Sequence, residues 1–157
     1  MLKKYLFIFF LSMVPIIELR GAIPFAVNWE LNYWTSLTVC AIGNMLPVPI
    51  IYLFARKVLH WGADKKYIGK FFRFCIEKGE RGGQKLMKRA GRGGLFGALM
   101  LFVGIPVPGT GAWTGTLAAS FLNMGIRSTV TAVSLGVVIA GIIMGVASTG
   151  VFSIFGI

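Results

Sequence analysis

Residues 5–27, 34–55, 94–124 and 128–157 form four long, largely apolar stretches. Each is long enough to cross a roughly 30 Å hydrocarbon core as an α-helix rising about 1.5 Å per residue. No other feature narrows the folding options as much. In hydrocarbon every backbone donor and acceptor must find its partner within the protein, and a helix provides this locally. The chain is 56% hydrophobic with a mean hydropathy of +0.78, far above an average soluble domain. An all-α integral membrane protein is expected, as a single membrane domain over residues 1–157.

The formal net charge is +11, and twelve of the sixteen Lys and Arg residues lie between Arg56 and Arg92, in one segment between apolar stretches. Lys- and Arg-rich loops stay cytoplasmic, so this segment sets the topology. It also attracts anionic headgroups, making membrane lipids the expected partners. No stacking platform or groove-reading motif accompanies the charge, and nucleic acid is not an expected partner. Lys3 and Lys4 before an apolar run resemble the start of a secretory signal, but Glu18, Arg20 and Pro24 stand where a small-residue cleavage site belongs. Cys40 falls in an apolar stretch and Cys75 in the basic segment, so no disulfide is expected between them. No metal-ligand spacing occurs, and no metal or cofactor is expected. His60, beside Trp61, reads as an interfacial residue.

Two of the apolar stretches are interrupted. Residues 14–24 hold Pro15, Glu18, Arg20, Gly21 and Pro24; residues 104–113 hold Pro106, Pro108, Gly109, Thr110, Gly111 and Trp113. Ionised side chains in hydrocarbon are costly and face a partner or a wet cavity, while proline removes a backbone donor that lipid cannot replace. The breaks are therefore the candidate site. Residues 5–27 would reach about 34 Å as one span. As a re-entrant hairpin, residues 5–17 would descend about 20 Å, turn at 18–24, and return near Trp29. Residues 94–104 and 112–124 would each rise about 16–20 Å, a little over half a bilayer core, which describes a second hairpin.

Between the breaks, residues 34–55 carry Asn44, Pro47 and Pro49 and should form a kinked crossing. Ile68, Phe71, Phe72 and Cys75 recur at helical spacing among lysines, the pattern of an amphipathic surface helix ending at residues 79–83. In the last crossing, Gly136/Ala140 and Gly141/Gly145 form small-residue ridges for close packing. The order break, crossing, basic segment, break, crossing suggests an inverted repeat: repeat 1 over about 5–55, repeat 2 over about 93–157. Gly21-Ala22 and Gly111-Ala112 echo each other weakly. Helix N-termini following the breaks would favour an anionic group between them. The few flanking charges (Lys3, Lys4, Arg127) lean instead towards ordinary spans.

Residues 15–24 and 106–115 resemble the two signatures of the bacterial small multi-drug export protein family, itself similar to the wider DedA/VTT group. The resemblance covers nearly the whole chain. It implies paired re-entrant hairpins in a bacterial cytoplasmic membrane. In the wider group it also implies lipid transport, including polyprenyl phosphate, with proton coupling. DedA proteins place an arginine in the second hairpin, whereas residues 94–125 here hold no charged side chain.

The leading expectation is a small transporter of lipid-linked or anionic amphiphilic substrates. Glu18 would exchange a proton and Arg20 would bind a phosphate or carboxylate, with Gly21 and Pro24 shaping the first break. Pro106, Pro108 and Gly109 would shape the second, where Thr110, Trp113 and Thr114 offer hydrogen bonds. The plainer reading has Glu18 and Arg20 pairing with each other or with backbone to close the hairpin. A proton-coupled exporter of cationic drugs suits Glu18, but Arg20 would repel the cargo. A non-transporting membrane scaffold is the third option. No nucleophile–base pair or phosphate loop supports an enzyme. So small a bundle makes a homodimer an expectation as well.

Overall fold

The computed structural model describes residues 1–15, 17–65, 69–107 and 110–155. Among these residues seven helices follow one another: α1 Leu2–Met13, α2 Glu18–Asn28, α3 Tyr33–Met45, α4 Pro47–Ala63, α5 Gly69–Gly104, α6 Ala112–Phe121 and α7 Ile126–Phe155. No strand occurs among the described residues. Among the described residues two helices have the length and apolarity to cross a membrane: the α3–α4 rod, Tyr33–Ala63, and Ile126–Gly150 of α7.

α1 stops where Pro15 forces its predecessor out of the helical region: Val14 is extended, at φ −73° and ψ 128°. The chain reverses, and α2 runs back along α1. Phe7 stacks on Phe25 and Trp29, with centroids 6.0 and 5.3 Å apart, while Lys4 stands 5.7 Å from the Trp29 ring. The two form an antiparallel helical hairpin. Its turn lies earlier than expected: Glu18 already begins α2, and Gly21 and Pro24 lie inside that helix. One missing N–H at Pro24 is tolerated when neighbouring helices enclose the gap. The second hairpin is built by the end of α5 and by α6. A Cβ on Gly115 would stand 2.6 Å from Val103 and 3.3 Å from Leu99, while Leu95 and Leu122 share a cavity wall further along, so these limbs also run antiparallel.

The α3–α4 rod is interrupted at Leu46, with Pro47 at the first position of α4, where its missing donor costs least. The basic segment departs from expectation. Helix α5 continues through residues 79–83 and is interrupted only at Gly91, at φ 68° and ψ −176°. Glycine lowers helix stability by about 1 kcal/mol but does not oblige a helix to end. Before that break, Arg73 Nε donates to the Ala63 carbonyl at 3.0 Å, and Phe72 packs over Gly62. Phe71 is exposed. Ile68, like the side chain of Cys75, lies outside the described residues; Cys40 is a buried free thiol.

Both halves share a local plan. α2 ends with Glu30 at φ 54° and the Leu31 N–H donating to the Ala26 carbonyl at 3.0 Å; α6 ends with Asn123 at φ 55° and Met124 N–H donating to Ala119, also at 3.0 Å. These are matching Schellman caps, each sealed by a buried apolar residue, Leu31 or Met124. The helix after each cap sets a glycine against the first limb of its own hairpin. Gly43 meets Ser12 and the Phe9 carbonyl; a Cβ on Gly136 would lie 2.7 Å from both the Met100 carbonyl and Val103. In this register Gly111 corresponds to Glu18, and Gly21 to Thr114, so the Gly-Ala echo read from the sequence is out of phase.

The ridges on α7 pack as expected, with Gly141 beneath Leu37 and Gly145 beneath the Tyr33 ring, whose hydroxyl donates to the Gly141 carbonyl at 3.0 Å. The core gathers Ile8, Leu19, Ile23, Val48, Val103, Val133 and Val137. Ile50, Leu53 and Phe54 of α4, and Leu135, Val138 and Val146 of α7, remain exposed. Contiguous apolar surface of this kind is what a lipid-facing wall presents.

Candidate functional site

The charges of the first hairpin are used to complete the second. Glu18 adopts φ 51°, an uncommon and costly conformation for a residue with a side chain, and its carboxylate reaches the start of α6. Oε2 accepts the Ala112 N–H at 3.1 Å and Oε1 accepts the Trp113 N–H at 3.0 Å. Those donors are among the orphans of a helix N-terminus, where the macrodipole favours an anion. Gly111 makes the approach possible. It sits at φ 146°, and any Cβ there would collide with the Glu18 carboxylate.

Arg20 does the converse at the end of α5. Nη1 donates to the Val107 carbonyl at 2.6 Å and to Thr110 Oγ1 at 2.8 Å; Nη2 donates to the carbonyls of Val103 at 2.9 Å and Ile105 at 3.2 Å. The Thr110 hydroxyl lies 2.9 and 2.8 Å from the Ile105 and Val107 carbonyls, to one of which it gives its proton. A planar guanidinium fork thus gathers the carbonyls left open where the helix stops.

Glu18 and Arg20 do not pair with each other; their partners all lie in the second hairpin. Residues two apart on a helix face different directions, and here one points to the N-terminus of α6 and the other to the C-terminus of α5. The helix N-terminus read as facing an anionic ligand is capped by the protein's own carboxylate.

A cavity of about 510 Å³ opens at this junction, within the range of small-molecule sites. Glu18, Arg20, Pro106, Thr110, Trp113 and Thr114 line it, together with Pro15, Val107, Leu117 and Met144. Six expected residues are therefore brought together. Gly21 and Pro24 are not on the wall, and Gly21 is packed against Ile17. Pro108 and Gly109 lie outside the described residues. Of the unexpected members, Leu117 follows Trp113 by one helical turn and could have been found by that spacing; Met144, on α7, gives no signal in the sequence. Glu18 is only 5% exposed, whereas Arg20 is half-buried and the indole Nε1 of Trp113 is buried with no partner among the described residues. Among the described residues no cluster of His, Cys, Asp and Glu could hold a metal ion.

Apolar helices of bilayer length, an exposed apolar wall and charged side chains sequestered at a break between helices point to a helical membrane protein. The chain belongs to the family described as "Putative small multi-drug export protein", whose model matches residues 18–143, from the capping glutamate well into α7. No curated protein and no solved structure matches it significantly.

Proposed function

We propose that this protein is a small membrane transporter, not an enzyme, that carries amphiphiles with an anionic headgroup, lipid phosphates such as polyprenyl phosphate among them. The observation that carries this reading is the unequal burial of the two charges. A cation would have to draw the Glu18 carboxylate, 5% exposed, away from two N–H donors. An anion meets the half-buried Arg20, whose present partners are neutral oxygens. A phosphate or carboxylate replaces these with stronger, charge-assisted bonds, and the Trp113 indole N–H supplies a further donor. Drawing Arg20 away frees the turn at 105–110, so binding and movement of the second hairpin become one event.

The test is transport in liposomes by purified protein, comparing a fluorescent long-chain alkyl phosphate with a cationic dye. The anion should cross and the dye should not. Arg20→Lys should keep part of the rate, and Arg20→Gln should lower it by about tenfold or more, the loss expected for one charged hydrogen bond. Faster dye transport, lost in Glu18→Gln, would favour the multidrug reading suggested by the family description. That reading needs Glu18 to leave its cap on every cycle, because a proton on either oxygen competes with an N–H. No protein-dependent movement of either probe would leave the scaffold reading.

We further propose that the hairpins are re-entrant and enter from opposite faces, as an inverted repeat. The matching caps at Glu30 and Asn123 and the matching glycines, Gly43 and Gly136, support this. So do the limb lengths: α1, α2 and α6 have 12, 11 and 10 residues, each about half a membrane. Single cysteines at the two termini, on a background without Cys40 and Cys75, should both label from outside intact cells. Labelling of both only after permeabilisation would mean ordinary spans.

A further inference from the structure

Two further depressions lie along α6 beside the site cavity, each sharing wall residues with the one before. Trp113 and Leu117 also border an apolar groove of about 300 Å³, floored by Phe54 and Val58 of α4. Leu59 and Phe121 close that groove and border, in turn, a small pocket of about 20 Å³ lined by Arg56, His60, Ser120 and Asn123. The path follows α6 from its first turn to its last, about 15 Å for ten residues. It runs from a cation, over hydrocarbon, to a second cation.

The far pocket has unused binding capacity. Ser120 is 4% exposed, and its buried hydroxyl has no hydrogen-bond partner among the described residues, a costly arrangement in a protein interior. Arg56 is held in place by Tyr52: Nη1 lies 3.3 Å from the Tyr52 hydroxyl, which itself donates to the Met124 carbonyl. The remaining N–H groups of Arg56 have no partner among the described residues. The recess has room for about one oxygen-sized group, with Arg56 and His60 at its mouth.

We infer that Arg56, His60 and Ser120 form a second station for the phosphate or carboxylate headgroup of an amphiphile whose tail occupies the groove between Phe54, Trp113 and Leu117. One headgroup oxygen accepts the Ser120 hydroxyl, and the rest of the group faces Arg56. This rests on the anionic-amphiphile reading above and adds to it a place where the headgroup waits beside the basic segment.

His60 is the only histidine in the chain, so protein labelled on histidine gives one imidazole signal. Titrating decyl phosphate into the full-length protein in maltoside micelles should shift that signal to saturation. Ser120→Ala removes a hydroxyl that holds no bond in the resting protein, and it leaves the surface charge unchanged. It should raise the half-saturating concentration about tenfold, the effect of one hydrogen bond to a charged group. Non-specific gathering of decyl phosphate around the micelle would not respond to Ser120→Ala, so an unchanged curve overturns the proposal. Arg56→Gln should abolish the shift. Inorganic phosphate should need at least a hundredfold more; if it saturates equally well, the pocket takes free anions and the headgroup assignment fails. The shift should persist in Arg20→Gln protein, so this site can stand or fall separately from transport through Arg20.

Discussion

Glu18→Ala should destabilise the protein by about 3 kcal/mol, since each buried donor left unpaired costs roughly 1–3 kcal/mol and the helix dipole also loses its anion. In a chain of this size that is a fall in melting temperature of roughly 6–12 °C, at about 2–4 °C per kcal/mol. Thermal unfolding in a mild detergent reads it. The two N–H groups concerned, of Ala112 and Trp113, start α6, and the carboxylate that accepts them is only 5% exposed, so the loss falls on donors largely held within the protein. Glu18→Gln should fall between wild type and alanine. Its one remaining carbonyl oxygen serves a single N–H, and its amide sets a donor against the other. A melting temperature for Glu18→Ala equal to wild type would show that the cap adds nothing.

The second large effect is local. Arg20→Ala leaves the carbonyls of Val103, Ile105 and Val107 and the hydroxyl of Thr110 without their shared donor. The backbone bonds made by the Val107 and Thr110 N–H groups should then open more often, and these amide hydrogens should exchange at least tenfold faster, a ratio equivalent to about 1.4 kcal/mol. Peptides from α7 serve as the internal reference. Arg20→Lys should restore only part of the protection, because a single ammonium cannot span oxygens arranged for a planar fork. If exchange in the turn is unchanged in Arg20→Ala, the guanidinium does not hold it closed.

Pro15 and Pro106 mark real chain reversals, because a missing N–H and a restricted preceding residue act locally and leave a trace in composition. The limits of the second hairpin, Gly104 and Ala112, and the helix boundary just before Pro47 were legible for the same reason. Local reasoning erred at Pro24, grouped with the turn although it lies inside α2, and at residues 79–83, whose glycines do not end α5. In both places a modest local penalty is outweighed by the helix around it. At the site, the important residues were visible, and Thr110 and pairing with backbone were among the expectations, but which backbone groups would be bound was not legible. Glu18 and Arg20 bind backbone atoms of residues 103–113, and every residue type carries the same backbone, so no side-chain pattern can announce it.

On the inverted repeat proposed above, Glu18 and Gly111 correspond, and that limits how such a chain can be assembled. Two identical subunits meeting at this junction would present the same residue from both sides. Paired glutamates would set like charges together, and paired glycines would leave both helix starts bare. Joining the halves in one polypeptide lets a carboxylate project from one side into the space left by a missing side chain on the other. The covalent link thus permits a division of labour that strict twofold symmetry forbids, and two copies of either half alone could not reproduce the junction.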